Sequence, residues 1–167
     1  MIRKAHHNDL PRIMNIFSVA KKFMRKSGNK NQWTNGYPSE EIIEKDIEDG
    51  NFYVEEKNDN IIGCFAFIIG IEPTYHKIDG HWLNDEPYGT IHRIASDGSM
   101  PGFSDRCFKF CRSKIHDLRI DTHQDNKPMQ SAVQRNGFKY CGIITLLDGS
   151  PRLAFQLGHN TTLPTTE

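Results

Sequence analysis

The run Tyr88-Gly89-Thr90-Ile91-His92-Arg93-Ile94-Ala95-Ser96 reads as a strand that carries a histidine into a loop holding Gly98, Pro101 and Gly102. A histidine near the end of such a strand can titrate close to neutrality and act as a general base. Packing in the sheet with one satisfying hydrogen bond is the plainer role for the same residue. Strict alternation places His92, Ile94 and Ser96 on one face and Ile91, Arg93 and Ala95 on the other. The loop at 97–104 opens into a helical pattern over 103–114. The first-turn N–H groups of such a helix lack partners, and with the helix dipole they favour an anion such as a phosphate chain. Gly98 and Gly102 permit a tight turn and close approach of a ligand, or they merely turn the chain.

A second polar cluster, Asp121-Thr122-His123-Gln124-Asp125-Asn126, follows the strand at 118–122. Polar groups at the end of a strand and before a helix commonly hold ligands in α/β architectures. His123 and Asp125 can pair. Asp125 or Asn126 can equally cap the helix at 128–136. The aromatic and acidic residues Trp33, Tyr37, Trp82, Asp85, Glu86 and Tyr88 lie in or beside loops. As a group they suit a cationic amine; singly, each is an ordinary surface charge or a loop anchor.

The elements that position these residues follow from periodicity and turn chemistry. A short strand at 2–5 precedes a helix from about Leu10, with Asn8 or Asp9 as its cap and Pro11 in its first turn. Leu10, Ile13, Met14, Phe17, Ala20 and Met24 recur at helical spacing. Ser39 caps a second helix, which ends at Gly50. Strands at 52–56 and 61–69 form a hairpin about 57–60. The stretch 72–87 is a long loop, and long loops are often functional. The last hairpin joins 139–146 to 152–157 around Asp148-Gly149. Strands grouped around four helices imply an α/β or α+β fold with one central sheet covered by helices. One domain spans 1–157, followed by a polar tail at 158–167 expected to fray.

Composition narrows the class. The 167 residues suit one domain, and 21 Lys plus Arg balance 21 Asp plus Glu. A neutral chain with no basic aromatic stripe is not expected to bind nucleic acid. The longest apolar run, 61–71, is too short to span a bilayer as a helix, and the first ten residues hold no apolar run suited to a signal peptide. A cytoplasmic protein is the expectation. Cys107 and Cys111 share one helix face, but no second spacing completes a metal site, so Cys64, Cys107, Cys111 and Cys141 read as buried reduced thiols.

Taken in order, these pieces resemble the GNAT family of acetyl-CoA-dependent N-acetyltransferases over nearly the whole chain. Ile2-Arg3-Lys4-Ala5 and Asp9-Leu10-Pro11 look like its opening strand and helix. Ile94-Ala95-Ser96 is similar to its Leu-Ala-Val stretch, residues 99–104 stand at its pyrophosphate loop, and Asn136-Gly137-Phe138 matches its closing Gly-Phe. The resemblance implies a mixed, mostly antiparallel sheet with helices on both faces. It also implies two parallel strands, 91–96 and 118–122, that splay around the pantetheine arm of acetyl-CoA. It further implies cofactor contacts at Ile94, Ala95, Ser96, Ser99, Gly102, Phe103, Ser104, Asn126 and Met129, with His92 as base. The acceptor implied is a small-molecule or peptide amine, with Trp33, Tyr37, Trp82, Glu86 and Tyr88 as candidate contacts. No metal or membrane is implied, and a homodimer is compatible with it. Ser99 stands where the family has Arg or Gln, and Ser104 where it has a second Gly or Ala. Val133 stands where many members have the Tyr that protonates the leaving thiolate. His123 and Tyr140 are the candidate substitutes for that Tyr. The alternative is a CoA-binding sensor or scaffold that has lost turnover.

Overall fold

The apolar run at 61–71 does not alternate, and a strand of that kind has to be covered on both faces. In the computed structural model, which describes residues 1–161, it forms β3 (Asn60–Ile69) near the middle of one eight-stranded sheet. The other strands are β1 (Ile2–Lys4), β2 (Phe52–Lys57), β4 (Asp79–Gly80), β5 (Tyr88–Ser96), β6 (Asp117–Thr122), β7 (Lys139–Thr145) and β8 (Pro151–Leu157). The order is β1-β2-β3-β5-β6-β8-β7-β4, and β5–β6 is the parallel pair.

The helices α1 (Leu10–Lys26) and α2 (Glu40–Glu48) cover one face, with Ile13, Ile16, Phe17 and Ile43 buried against Val54, Cys64 and Ala66. On the other face lie α3 (Phe103–Arg112) and α4 (Lys127–Arg135), packing Cys107, Phe108, Cys111 and Val133 onto Phe65, Ile91, Leu118 and Ile120. All four cysteines are buried and unbridged. Gly137 takes φ 86° just after α4, a left-handed geometry that glycine accepts readily, and it turns Phe138 back onto Phe108 at 5.0 Å between rings.

Several expectations are corrected. Asp9 does not cap α1. Its carboxylate pairs with Arg3 at 2.8 Å and accepts the His6 N–H at 2.7 Å, across a 3₁₀ turn at His7–Asp9. The first hairpin has a two-residue turn, Asn58-Asp59, both at positive φ, so its strands run longer than 52–56 and 61–69. The stretch 72–87 is no bare loop: it holds a 3₁₀ turn at Pro73–Tyr75 and the short strand β4 on β7. Part of the tail expected to fray is tied down. Arg112 Nη2 donates to Gly158 O at 3.0 Å, and His159 Nδ1 lies 3.2 Å from Asp117 Oδ1. Residues 162–167 of that tail lie outside the described residues.

The strict alternation along β5 also fails. Ala66 of β3 faces His92, but Cys64 faces Ala95, so β5 carries one extra residue between them. Arg93 sits in this bulge at φ 52°. Past it the faces exchange. His92 and Ala95 now share the α1/α2 side, while Ile91 and Ile94 both pack toward α3.

Candidate active site

The parallel pair is zipped only at its start. Its register runs from Tyr88↔Asp117 to Ile91↔Ile120 and ends there, while β5 continues to Ser96 along β3. The bulge at Arg93 begins where pairing with β6 stops, and it bends β5 away from that strand. The gap opens into a groove of about 930 Å³ bordered by the far ends of both strands, the starts of α3 and α4, the second half of α1 and the loop before α2. That volume lies at the upper end of the range for small-molecule sites and leaves room for two reactants.

One end of the groove presents the start of α3. Gly102 precedes α3 at φ 86° and offers no side-chain cap. Among the described residues, the N–H groups of Phe103, Ser104 and Asp105 find no acceptor. The preceding loop adds little. Pro101 has no N–H, and Ser99 gives both its N–H and its hydroxyl to Asp97 Oδ1, at 2.9 and 2.6 Å. Asn126 caps α4 by accepting the Met129 N–H at 3.1 Å. Its amide also donates to Gln32 Oε1 at 2.9 Å, which receives Asn29 Nδ2 at 2.8 Å as well. This buried ladder fastens the loop after α1 to the start of α4.

His92 stands where the groove meets the α1/α2 face. Its Nε2 lies 3.1 Å from Glu72 Oε2, with the two side chains 20% and 19% exposed. The second Glu72 oxygen accepts the Thr74 N–H at 3.2 Å and the Thr74 hydroxyl at 2.9 Å, and Tyr88 Oη accepts the Glu72 N–H at 2.8 Å. The hydrogen bond from His92 holds the Glu72 carboxyl down at about 2, against its partial burial. Nearby, Tyr75 Oη donates to Asp121 Oδ2 at 2.6 Å, and burial followed by the Asp121 charge pushes the Tyr75 phenol up. Arg93 is 2.8 Å from Asp46 and donates to Tyr37 Oη at 3.0 Å, which anchors the bulge to α2 and to the loop before it.

The groove brings together His92, Ile94, Ala95, Ser96, Phe103, Ser104, Asn126, Met129, Trp33 and Tyr37. Other expected residues stand off its wall. Ser99 and Gly102 only shape the approach to α3. Tyr88 and Trp82 sandwich the Arg119 guanidinium at 3.9 and 4.1 Å, behind Glu72, and Glu86 is exposed. Tyr140 is 57% exposed on β7, its ring against Phe155. His123 turns Nδ1 onto the Asp125 N–H at 3.0 Å, and burial with the nearby Arg152 charge pushes its imidazole down. Val133 is buried in the core between α4 and the sheet. Glu72, Thr74 and Gln32 border the groove but carry no local sequence signal.

An acetyltransferase of the GNAT family from Streptococcus agalactiae superposes with a TM-score of 0.85 and 34% identity over 96% of each chain. The chain belongs to the GNAT family of acetyltransferases. A putative acetyltransferase from Staphylococcus aureus is 26% identical with a TM-score of 0.72, over 96% of this chain and 99% of that one. A ribosomal-protein-alanine N-acetyltransferase from Brucella melitensis shares the fold at 16% identity and a TM-score of 0.60, over 93% of this chain and 98% of that one. No protein-family model and no curated protein matches the chain. The sheet with its splayed pair, and helices on both faces, is the architecture that membership in the GNAT family predicts.

Proposed function

We propose that this GNAT protein is an acetyl-CoA-dependent N-acetyltransferase that joins acetyl-CoA and a primary amine in one groove. The observation that carries the reading is the His92–Glu72 pair at the point where β5 leaves β6. Acetyl-CoA supplies an acetyl thioester. The residues fit its polar parts: three N–H groups at the start of α3 that find no acceptor among the described residues suit a pyrophosphate, and the edge of β5 beyond Ile91, where pairing with β6 ends, offers amide partners to a pantetheine arm.

In this reading His92 takes a proton from the acceptor ammonium or from the attacking nitrogen. Glu72 fixes the ring by engaging Nε2, which leaves Nδ1 as the basic nitrogen. A backbone N–H of the open β5 segment, that of Ile94 being the candidate, donates to the oxygen that becomes negative as the carbonyl is attacked. The new C–N bond forms, the C–S bond breaks, and the electron pair leaves on sulfur. No Tyr stands at 133, so the proton for the thiolate returns from His92 or solvent.

Calorimetry with CoA, followed by free-thiol release with acetyl-CoA and a panel of amines, tests the proposal. His92→Ala should lower kcat by about 10²- to 10⁴-fold. Absence of CoA binding, or full activity of that variant, refutes it. A second reading, a CoA-binding sensor with little or no turnover, is favoured by Val133 in the core and by His123 and Tyr140 standing off the groove. CoA binding with no thiol release on any amine selects that reading.

A further inference from the structure

Four large apolar side chains stand exposed around one opening of the groove. Val19 and Phe23 lie one turn apart on α1, at 38% and 64% exposure. Tyr37 borders the same groove from the loop before α2, its hydroxyl accepting from Arg93, and Leu147, 97% exposed, stands in the β7–β8 turn. Apolar groups brought by three separate elements to the border of a concave site offer an apolar ligand area to cover.

The floor beneath this rim is negative. Glu72 and Asp121 both border the groove, and each carboxylate accepts a hydrogen bond, from His92 at 3.1 Å and from Tyr75 at 2.6 Å. The floor's guanidinium, Arg93, is taken up by Asp46 and Tyr37. Arg152 also borders the groove and has no carboxylate partner among the described residues. It adjoins Leu153, which pairs with Thr122 at the end of β6.

Resting on the transferase reading above, we infer that the acceptor is a primary amine on an apolar body, an arylalkylamine or alkylamine with no second charge near its nitrogen. The ammonium is drawn to the carboxylate floor beside His92. The hydrocarbon covers Phe23, Val19 and Leu147 and removes them from water. A carboxylate on the same carbon as the amine, as in an amino acid, would face Glu72 and Asp121. A second ammonium, as in a polyamine, would be desolvated against the apolar rim, where the bordering carboxylate, Asp148, already accepts the Ser150 N–H and hydroxyl.

The test compares 2-phenylethylamine, hexylamine, L-phenylalanine and spermidine at saturating acetyl-CoA, after calorimetry has measured CoA binding by the wild-type protein. The expected result is a kcat/KM for 2-phenylethylamine at least about tenfold above those for L-phenylalanine and spermidine. Phe23→Ala and Leu147→Ala alter exposed side chains, so the fold should be retained. Each should raise the KM for 2-phenylethylamine by about threefold to tenfold, with CoA affinity unchanged. Preference for spermidine or L-phenylalanine, or an unmoved KM in both variants, overturns the acceptor class while leaving the transferase reading intact. CoA binding without turnover of any amine, or no CoA binding, overturns both.

Discussion

Glu72 and His92 are 20 residues apart in the chain, yet Oε2 of one lies 3.1 Å from Nε2 of the other. Glu72 is itself held through Thr74 and the Tyr88 hydroxyl, so the carboxylate is a fixed reference for the ring. Glu72→Gln keeps the shape and removes the charge. An amide can turn its NH₂ toward the ring and invert the tautomer. The expected outcome is a fall in kcat of about 10- to 100-fold, since misorienting a base forfeits most of its effect. CoA affinity by calorimetry should not move. A kcat within twofold of wild type would show that Glu72 only holds its loop.

The same carboxylate makes stability depend on pH in a defined window. The Glu72 carboxyl is held at about 2, against an ordinary 4.5. Between those values the unfolded chain binds more protons at this position than the native state does. The contribution is therefore complete above about 4.5, declines as pH falls, and is gone below about 2. Urea unfolding of wild type and Glu72→Gln across this range should give stabilities that converge in acid. They should separate toward neutrality by on the order of 2 kcal/mol. A difference constant with pH would assign the effect of the substitution to something other than the charge.

Arg93 holds the bend that opens the groove, and it does so in a left-handed conformation, φ 52°. Its guanidinium and Asp46 are 12% and 11% exposed, and burial already pushes the Asp46 carboxyl up against the restraint of Arg93. Arg93→Ala strands that carboxyl and should cost about 3–5 kcal/mol. Arg93→Gly loses the same contacts but relieves the strain of a side chain at positive φ. It should be more stable than Arg93→Ala by about 1 kcal/mol. Thermal melts of the pair decide it, and an alanine variant more stable than the glycine variant would refute the strain.

What was legible in the sequence was local. The junction from β5 through Gly102 to α3 is written within a few residues and stands where expected, and of the two candidate caps for α4, Asp125 and Asn126, the structure uses Asn126. The faces of β5 were misread because the bulge sits on an arginine, with no glycine to mark a positive φ. The Glu72 partner was missed because no spacing rule links residue 72 to residue 92. The link from Gln32 to Asn126 joins residues 94 apart, and only the folded chain reveals it. Trp82 and Tyr88, candidate amine contacts from their place beside loops, enclose Arg119 and brace the wall behind Glu72.

The anion end can be tested by removing one N–H without disturbing the helix. Proline occupies the second position of α1, as Pro11, and the second position of α4, as Pro128. Ser104 is the second residue of α3. Proline there is sterically compatible with a helix start and forfeits no intrahelical bond, because first-turn N–H groups have no helical acceptor. Ser104→Pro should therefore melt within a few degrees of wild type. It removes one donor from the set offered to a pyrophosphate, along with the hydroxyl. A charge-assisted hydrogen bond contributes about 1.5–3 kcal/mol, so CoA affinity should fall by roughly tenfold to a hundredfold. Ser104→Ala, which keeps the N–H, separates the two groups: near-wild-type affinity assigns the loss to the backbone. Equal affinity of wild type and Ser104→Pro for CoA would mean that the start of α3 does not hold the phosphates.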